Sequence, residues 1–455
     1  MGVFGTRLSR REFVRSAVAA AAAPHLAGVV ALAGEPRGRE AMDAKTPLDG
    51  AEPRIREHRT ALAKLKLLDR AGRPVAGAEV EVRLVRHEFK LGANAFRLGA
   101  IKDAKLQSLY EERFAGLLNY ATLPFYWGSY EPERGKTSER RLESMARWCR
   151  DHGVTPKGHP LVWHEVYPSW AKGLSDAEVL GLQEKRVREI VARFAGLIDI
   201  WDVVNEATVS HRFENALGRW IAREGAARCV GQALSWARES GPKATLLYND
   251  FNVSPEFEAL VRGLLEARSP LDAIGIQSHM HKGTWPLARA WEVCETYSRF
   301  GLPLHFTELT ILSGRLKAQD DNDWHRVQPD WASTAEGEAA QLEYGSGLYT
   351  LLFSHPAVEA ITCWDFSDDG AWQGAPAGLV RRDMSPKPLY DWLVDAFHRR
   401  WVTREKTRSD ASGVVNVRCF FGEHELRART ASGEELGASF RLSRRGTREL
   451  TVEVA

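Results

Sequence analysis

The sequence predicts an α/β fold, a (β/α)8 barrel of eight parallel strands with a small accessory β domain formed by strands from both ends of the chain. Three observations carry that prediction. The length of 455 residues accommodates a barrel of roughly 250 residues or more with a smaller unit beside it. Between about residues 90 and 400, short apolar runs ending in polar residues alternate with longer segments of helical period, the mark of βα repetition. Both flanks of that region instead show strict two-residue alternation, which belongs to half-exposed strands.

Taken in chain order, residues 1–34 read as an export signal rather than a folded element. Ser9-Arg10-Arg11-Glu12-Phe13-Val14 precedes an Ala-rich, weakly apolar run from Ser16 to Ala33, and Ala31-Leu32-Ala33 supplies small residues for cleavage. This pattern resembles a twin-arginine signal, which implies a protein folded before transport and working in the periplasm or outside the cell. Pro24 and His25 interrupt the run, leaving it short for a span of roughly 20 residues. Residues 35–58, rich in Pro, Gly, Arg and Glu, read as a linker.

Residues 59–92 are expected as an N-terminal β segment, with Val80, Val82 and Leu84 alternating with Glu79, Glu81 and Arg83. Residues 404–455 mirror it, Leu426 and Ala428 alternating with Arg427 and Arg429 before Leu450, Val452 and Val454. Neither end has enough strands to bury a face alone, so the two are expected to combine in one small sandwich. The barrel domain is placed at 93–403. Its eight candidate strands are Phe89–Asn94, Asn119–Leu123, Thr155–Val162, Ile198–Asn205, Ala244–Asn249, Ala273–His279, Leu304–Glu308 and Ala360–Asp365. An open doubly wound sheet is the alternative, but no glycine-rich phosphate loop follows the first strand.

Composition narrows the chemistry. With 62 basic and 60 acidic residues there is no electrostatic footprint for a phosphate backbone, so nucleic acid is excluded as a partner. The 15 Trp, against 10 Tyr, offer flat apolar faces on which sugars stack, although most such rings serve as core. Five scattered cysteines signal neither a zinc site nor a disulfide framework.

Two carboxylates stand out. The fourth candidate strand ends Trp201-Asp202-Val203-Val204-Asn205-Glu206, and the seventh ends Phe306-Thr307-Glu308. A barrel delivers every strand's C-terminal end to one rim, so Glu206 and Glu308 face a common mouth. Glycosidic cleavage needs such a pair, one protonated toward the leaving oxygen and one ionised toward the anomeric carbon; a separation of about 5 Å gives retention of configuration. Either glutamate alone reads as a cap or a surface carboxylate.

The hexapeptide ending at Glu206 and the position of Glu308 resemble glycoside hydrolase family 10, whose members are mostly endo-β-1,4-xylanases. Further motifs match it in order: Gly158-His159-Pro160-Leu161-Val162-Trp163-His164, Tyr248-Asn249-Asp250-Phe251-Asn252, Gly275-Ile276-Gln277-Ser278-His279, Trp364-Asp365-Phe366-Ser367-Asp368 with Trp372, and Ser385-Pro386-Lys387-Pro388-Leu389-Tyr390. The resemblance covers about residues 90–403 and implies a retaining endo-β-1,4-glycanase acting on xylan or a related plant polysaccharide. By it, Glu206 is acid/base, Glu308 is nucleophile, and Asn205 donates to the 2-hydroxyl of the reacting sugar. His159, Trp163, Gln277 and His279 line the same subsite, His279 also bonding Glu308, while Trp364 and Trp372 cover and stack the sugars. Two carboxylates and water suffice for the cycle, so no cofactor and no metal is expected. A polysaccharide is the expected partner, with no membrane association after processing, and the enzyme is expected to be a monomer.

Departures from the family pattern bear on the substrate. Members usually carry a Glu-Asn pair and a Lys just before a Trp, binding the next sugar outward; here the stretch reads Asn119-Tyr120-Ala121-Thr122-Leu123-Pro124-Phe125-Tyr126-Trp127. Thr310 stands where the family has an Asp that orients the histidine equivalent to His279, and Phe251 replaces a Tyr. Thr310 is expected to leave the protonation of His279 less firmly set. His279-Met280-His281 has the i, i+2 form of some metal sites, but strand alternation, if the strand persists that far, sends the two rings to opposite faces. A binding protein that keeps the cleft without catalysis is the alternative from another class, as is a β-glycosidase of different backbone specificity.

Overall fold

The computed structural model describes residues 47–455. The proposed export signal lies outside these residues. The chain enters with a helix, Ala51–Arg59, followed by β1 (Thr60–Leu68) and β2 (Glu79–His87). β3 (Lys90–Asn94), β4 (Tyr120–Pro124), β5 (Thr155–His159), β6 (Ile200–Asn205), β7 (Thr245–Asp250), β8 (Ala273–Ile276), β9 (Leu304–Leu309) and β10 (Val358–Cys363) then alternate with helices and close into a parallel barrel in sequential order. β11 (Arg404–Arg408), β12 (Val414–Phe420), β13 (Gly422–Arg429), β14 (Glu435–Leu442) and β15 (Glu449–Glu453) complete the chain. All eight expected barrel strands are present, four of them shorter: β3 starts at Lys90 and β6 at Ile200, while β5 stops at His159 and β8 at Ile276.

Residues 51–58, expected within a linker, form most of the first helix instead. Ala51 and Ile55 are buried, Ile55 in the main core. Arg59 closes the helix and donates to the carbonyls of Phe353, His355 and Val358 at 2.6–2.7 Å. Phe353 and His355 lie at the end of helix Ala335–Ser354, where carbonyls otherwise lack partners. Polar composition suggested linker; the partners that bury this segment are some 300 residues away in sequence.

The barrel interior is layered. Tyr120, Ile200, Ala273 and Ala360, from β4, β6, β8 and β10, pack with Leu247 as an apolar plug, the alternate-strand filling expected of such a barrel. Nearer the C-terminal rim, Lys157 and Asp202 pair at 2.6 Å with both side chains fully buried. Trp201, one residue before Asp202, points outward and packs on Phe125 and Phe194. Its ring leaves no room for a side chain at residue 158, since a Cβ on Gly158 would lie 2.0 Å from it.

The termini build the accessory domain. One sheet has the order β12-β1-β15 and the other β11-β2-β13-β14. They share one apolar core that includes Leu65 and Leu67 from β1, Val80 and Val82 from β2, and Val417 and Leu426 from the C-terminal strands. The sandwich is anchored to the barrel by Arg444, whose Nη1 donates to Pro356 O at 2.6 Å, and by Glu88, whose N–H reaches Phe421 O at 2.9 Å.

Candidate active site

Glu206 and Glu308 end up at the same mouth for a local reason in each case. Glu206 follows the last residue of β6 and has φ 58, a left-handed conformation uncommon for a residue with a side chain, which turns its carboxylate inward. Its N–H bonds Asn249 O on β7 at 2.9 Å. Glu308 lies within β9, and its N–H bonds Gln277 O at 3.0 Å.

One hydrogen-bonded network links the two acids. Glu206 Oε1 accepts from Gln277 Nε2 at 2.8 Å and Asn205 Nδ2 at 2.9 Å, and Oε2 accepts from Trp163 Nε1 at 3.2 Å. Asn249 Nδ2 donates both to Asn205 Oδ1 at 2.8 Å and to Glu308 Oε1 at 2.7 Å. His279 Nε2 lies 3.1 Å from Glu308 Oε2, and His159 Nε2 lies 3.8 Å from Oε1. The structure therefore places Asn205, His159, Trp163, Gln277 and His279 around the pair.

The two carboxylates hold protons unequally. Burial drives Glu206 well above the ordinary carboxylate range, reinforced by the negative charges of Glu165 and Glu308 and only partly opposed by the Gln277 amide. Burial also raises Glu308, to about 7, but His159, Lys157 and the Asn249 amide pull it back. Asp202 lies behind His159, bonding its Nδ1 at 2.8 Å. Burial opposes the charge of Asp202, yet Lys157 and His159 more than offset it and keep this carboxylate ionised. Burial pushes both carboxyls up; anionic neighbours add to that at Glu206, whereas cationic ones oppose it at Glu308.

Thr310 does supply a partner for His279: its Oγ1 lies 2.9 Å from Nδ1. A hydroxyl both donates and accepts, so it suits the neutral ring, and burial lowers His279 to about 3. The imidazole then donates through Nε2–H to an ionised Glu308 and accepts from Thr310. Burial alone, with no charged partner involved, favours the neutral form of His279.

The strand-alternation argument against His279 and His281 does not apply. β8 stops at Ile276 and Ser278 has φ 59, so both rings pack against Trp372, with centroids 4.9 and 5.0 Å away. Among the described residues, no group of three or more His, Cys, Asp or Glu is arranged to hold a metal, and all five cysteines are buried free thiols.

Trp364 and Trp372 both follow β10. Trp364 meets His159 and His279 edge-on at 5.5 and 5.8 Å. Trp372 stacks on Trp324 at 5.9 Å, and its backbone N–H is held by Asp365. Lys387 of the Ser-Pro-Lys-Pro motif is fully buried and donates to Asp368 and Ser313, each at 2.8 Å, tying the loop after β10 to the loop after β9.

Sequence reasoning left several residues unassigned. Asn249 ends the strand expected at Ala244–Asn249 and lies one residue before the end of β7, so the strand-end rule that found Glu206 applied to it as well. Asp250 accepts from Thr208 Oγ1 at 2.9 Å, steadying the loop after Glu206. Tyr126 packs against His159 and Trp163, each at 5.4 Å. Trp324 and His325 lie in the long loop after β9, where no motif marks them. His325 Nε2 reaches Glu165 Oε1 at 3.4 Å, although β5 and β9 stand four places apart in the eight-strand ring, so this pair spans the mouth.

Comparison with known proteins agrees with this geometry. The family model for glycosyl hydrolase family 10 matches residues 85–396. Endo-1,4-beta-xylanase B of Thermotoga neapolitana is 29% identical over 279 residues, covering 58% of this chain and 75% of that protein. Anti-sigma-I factor RsgI6 of Acetivibrio thermocellus is 25% identical over 424 residues, 90% of this chain, which spans half the length of that relative. In fold, the chain is similar to native xylanase 10B from Thermotoga maritima, with a TM-score of 0.58 and 24% identity over 69% of this chain and 96% of that one. The matched region takes in the whole barrel and both rim glutamates: this chain belongs to glycosyl hydrolase family 10 and is a glycoside hydrolase.

Proposed function

We propose that the protein is a retaining endo-β-1,4-glycanase that hydrolyses xylan or a closely related plant polysaccharide by double displacement. The observation that carries this reading is the single hydrogen-bonded network joining Glu206 and Glu308 at one barrel mouth. Glu206 protonates the leaving oxygen while Glu308 attacks the anomeric carbon, and Glu206, now ionised, draws a proton from water for the second step. Asn205 and Gln277 bind Glu206, and Asn249 and His279 hold Glu308 in line. The names of the xylanase relatives point to xylan as the leading substrate. The twin-arginine-like segment supports export, and among the described residues no helix is long and apolar enough to cross a membrane.

Reducing-sugar release from xylan, mixed-linkage glucan, cellulose and mannan is the test, with release from xylan expected. Glu308→Ala is expected to abolish turnover and leave polysaccharide binding by affinity electrophoresis in place. Binding without release by the unaltered protein from any of the four substrates would favour a non-catalytic binder instead.

A further inference from the structure

The catalytic carboxylates lie at the C-terminal rim of the barrel, and a separate cavity opens at its other end. It has a volume of about 280 Å³ and is lined from five adjacent strands at their N-terminal ends. Lys90 begins β3, Thr245 begins β7, Ala273 begins β8, His305 is second in β9 and Glu359 second in β10. Arg238, in helix Ala226–Ser240, and Lys243, in the turn after it, join the lining. Arg445, in the turn between β14 and β15, brings the accessory sandwich to the same cavity.

The charges there do not balance. Four cationic side chains, Lys90, Arg238, Lys243 and Arg445, stand against two carboxylates, Asp272 and Glu359. Asp272 is taken, since it pairs with Arg238 and accepts from the Leu246 N–H at 2.8 Å. Glu359 is shared by Arg445 and Arg444, whose nitrogens lie 3.5 and 3.9 Å from its Oε1. Lys90 and Lys243 make no hydrogen bond or ion pair among the described residues. Lys90 is half-buried, and burial lowers its pKa with Glu359 and Glu88 only partly opposing. His305 is 2% exposed, and its Nδ1 has no hydrogen-bond partner. An ammonium drawn out of water without a partner is costly, as is a buried ring nitrogen in the same state, and a ligand oxygen would relieve both.

We propose that this cavity binds a tetrahedral dianion, of the phosphate or sulfate kind, through Lys90, Lys243, Arg445 and His305. The two unmatched positive charges equal the charge of such an anion, and a cleft lined by one sign of charge concentrates its field on the ion. Hydrogen bonds from ammonium and guanidinium groups to its oxygens are of the strong, charge-assisted kind. The volume admits one such anion with water to complete its shell. A neutral glycan lacks the charge that this cavity calls for, so the site is independent of the rim carboxylates and of the glycosidase reading. Because Arg445 comes from the sandwich and the other three groups from the barrel, a bound dianion ties the two together.

Isothermal titration calorimetry of the full chain with sodium sulfate and with inorganic phosphate, at an ionic strength fixed with sodium chloride, tests this. Saturable binding of one anion per chain is expected, with a rise in Tm that levels off as the site fills. Lys90→Gln, Lys243→Gln and Arg445→Gln are each expected to weaken binding at least about tenfold, the effect of losing a charged hydrogen bond. Lys102→Gln removes the same charge from the exposed loop after β3, at the opposite end of the barrel, and is expected to leave the affinity in place. Lys243 and Arg445 are exposed, so their variants keep the test decisive even if Lys90→Gln does not fold. Absence of saturable binding of either anion overturns the proposal, as does binding at full strength in the folded variants. An equal loss in Lys102→Gln overturns it as well, because the effect would then be one of net charge.

Discussion

Glu206 and Glu308 sit in the same dry mouth, and what separates them is their neighbours. Glu165 adds negative charge beside Glu206, whereas His159 and Lys157 offset charge on Glu308. The proposed mechanism needs Glu308 bare and Glu206 protonated, so kcat/KM is expected to rise as pH climbs through about 7, where Glu308 loses its proton, and to fall again once Glu206, which burial also pushes up, loses its own. A pH profile on a soluble xylo-oligosaccharide checks this; a plateau already reached at pH 5 would contradict it. Asp202 gives a second prediction. Asp202→Asn strands the Lys157 charge in the barrel and is expected to cost about 3–5 kcal/mol at neutral pH, read by denaturant unfolding. Because folding depresses the carboxyl of Asp202, its contribution is present above the unfolded value and lost as pH falls through the lower folded value. The gap between the two proteins should therefore shrink in strong acid.

At the scale of elements, β5 and β6 show how close the strands of this site are. Gly158 lies beneath the Trp201 ring, and a Cβ there would come within 2.0 Å of it. Gly158→Ala is expected to destabilise by at least about 1–3 kcal/mol, the usual cost of overpacking, and to displace His159 on the next residue, lowering kcat with the fold retained. Thermal unfolding and kinetics on the same sample check both parts. The long loop after β9 matters for a different reason, since Trp324 stacks on Trp372 and His325 pairs with Glu165 across the mouth. Helical or strand period is absent there, so the sequence carries no local signal of what the loop does.

At the scale of the molecule, the accessory sandwich is shared between the two ends of the chain. β1 lies between β12 and β15, and β2 between β11 and β13. Deleting residues 404–455 removes the partners of both N-terminal strands and bares Leu65, Leu67, Val80 and Val82. The expected result is loss of soluble protein or a markedly lower Tm, rather than a folded enzyme with weaker binding to insoluble substrate. Soluble yield and Tm alongside binding assays distinguish the two outcomes.

The sequence by itself determined the barrel, because a period of two or 3.6 is a property of neighbouring residues and survives without tertiary information. It also determined that Glu206 and Glu308 share a rim, since parallel strands deliver their C-terminal ends to one side. The first helix was not legible in this way, for its polar residues read as linker until Arg59 met the carbonyls at the end of helix Ala335–Ser354. Only the tertiary structure decided which charges surround each glutamate, because Glu165, His159 and Lys157 close in from other strands and loops. The Glu165–His325 span was decided at the same level. Contacts between loops of different strands are set by barrel closure, and no periodicity along the chain encodes them.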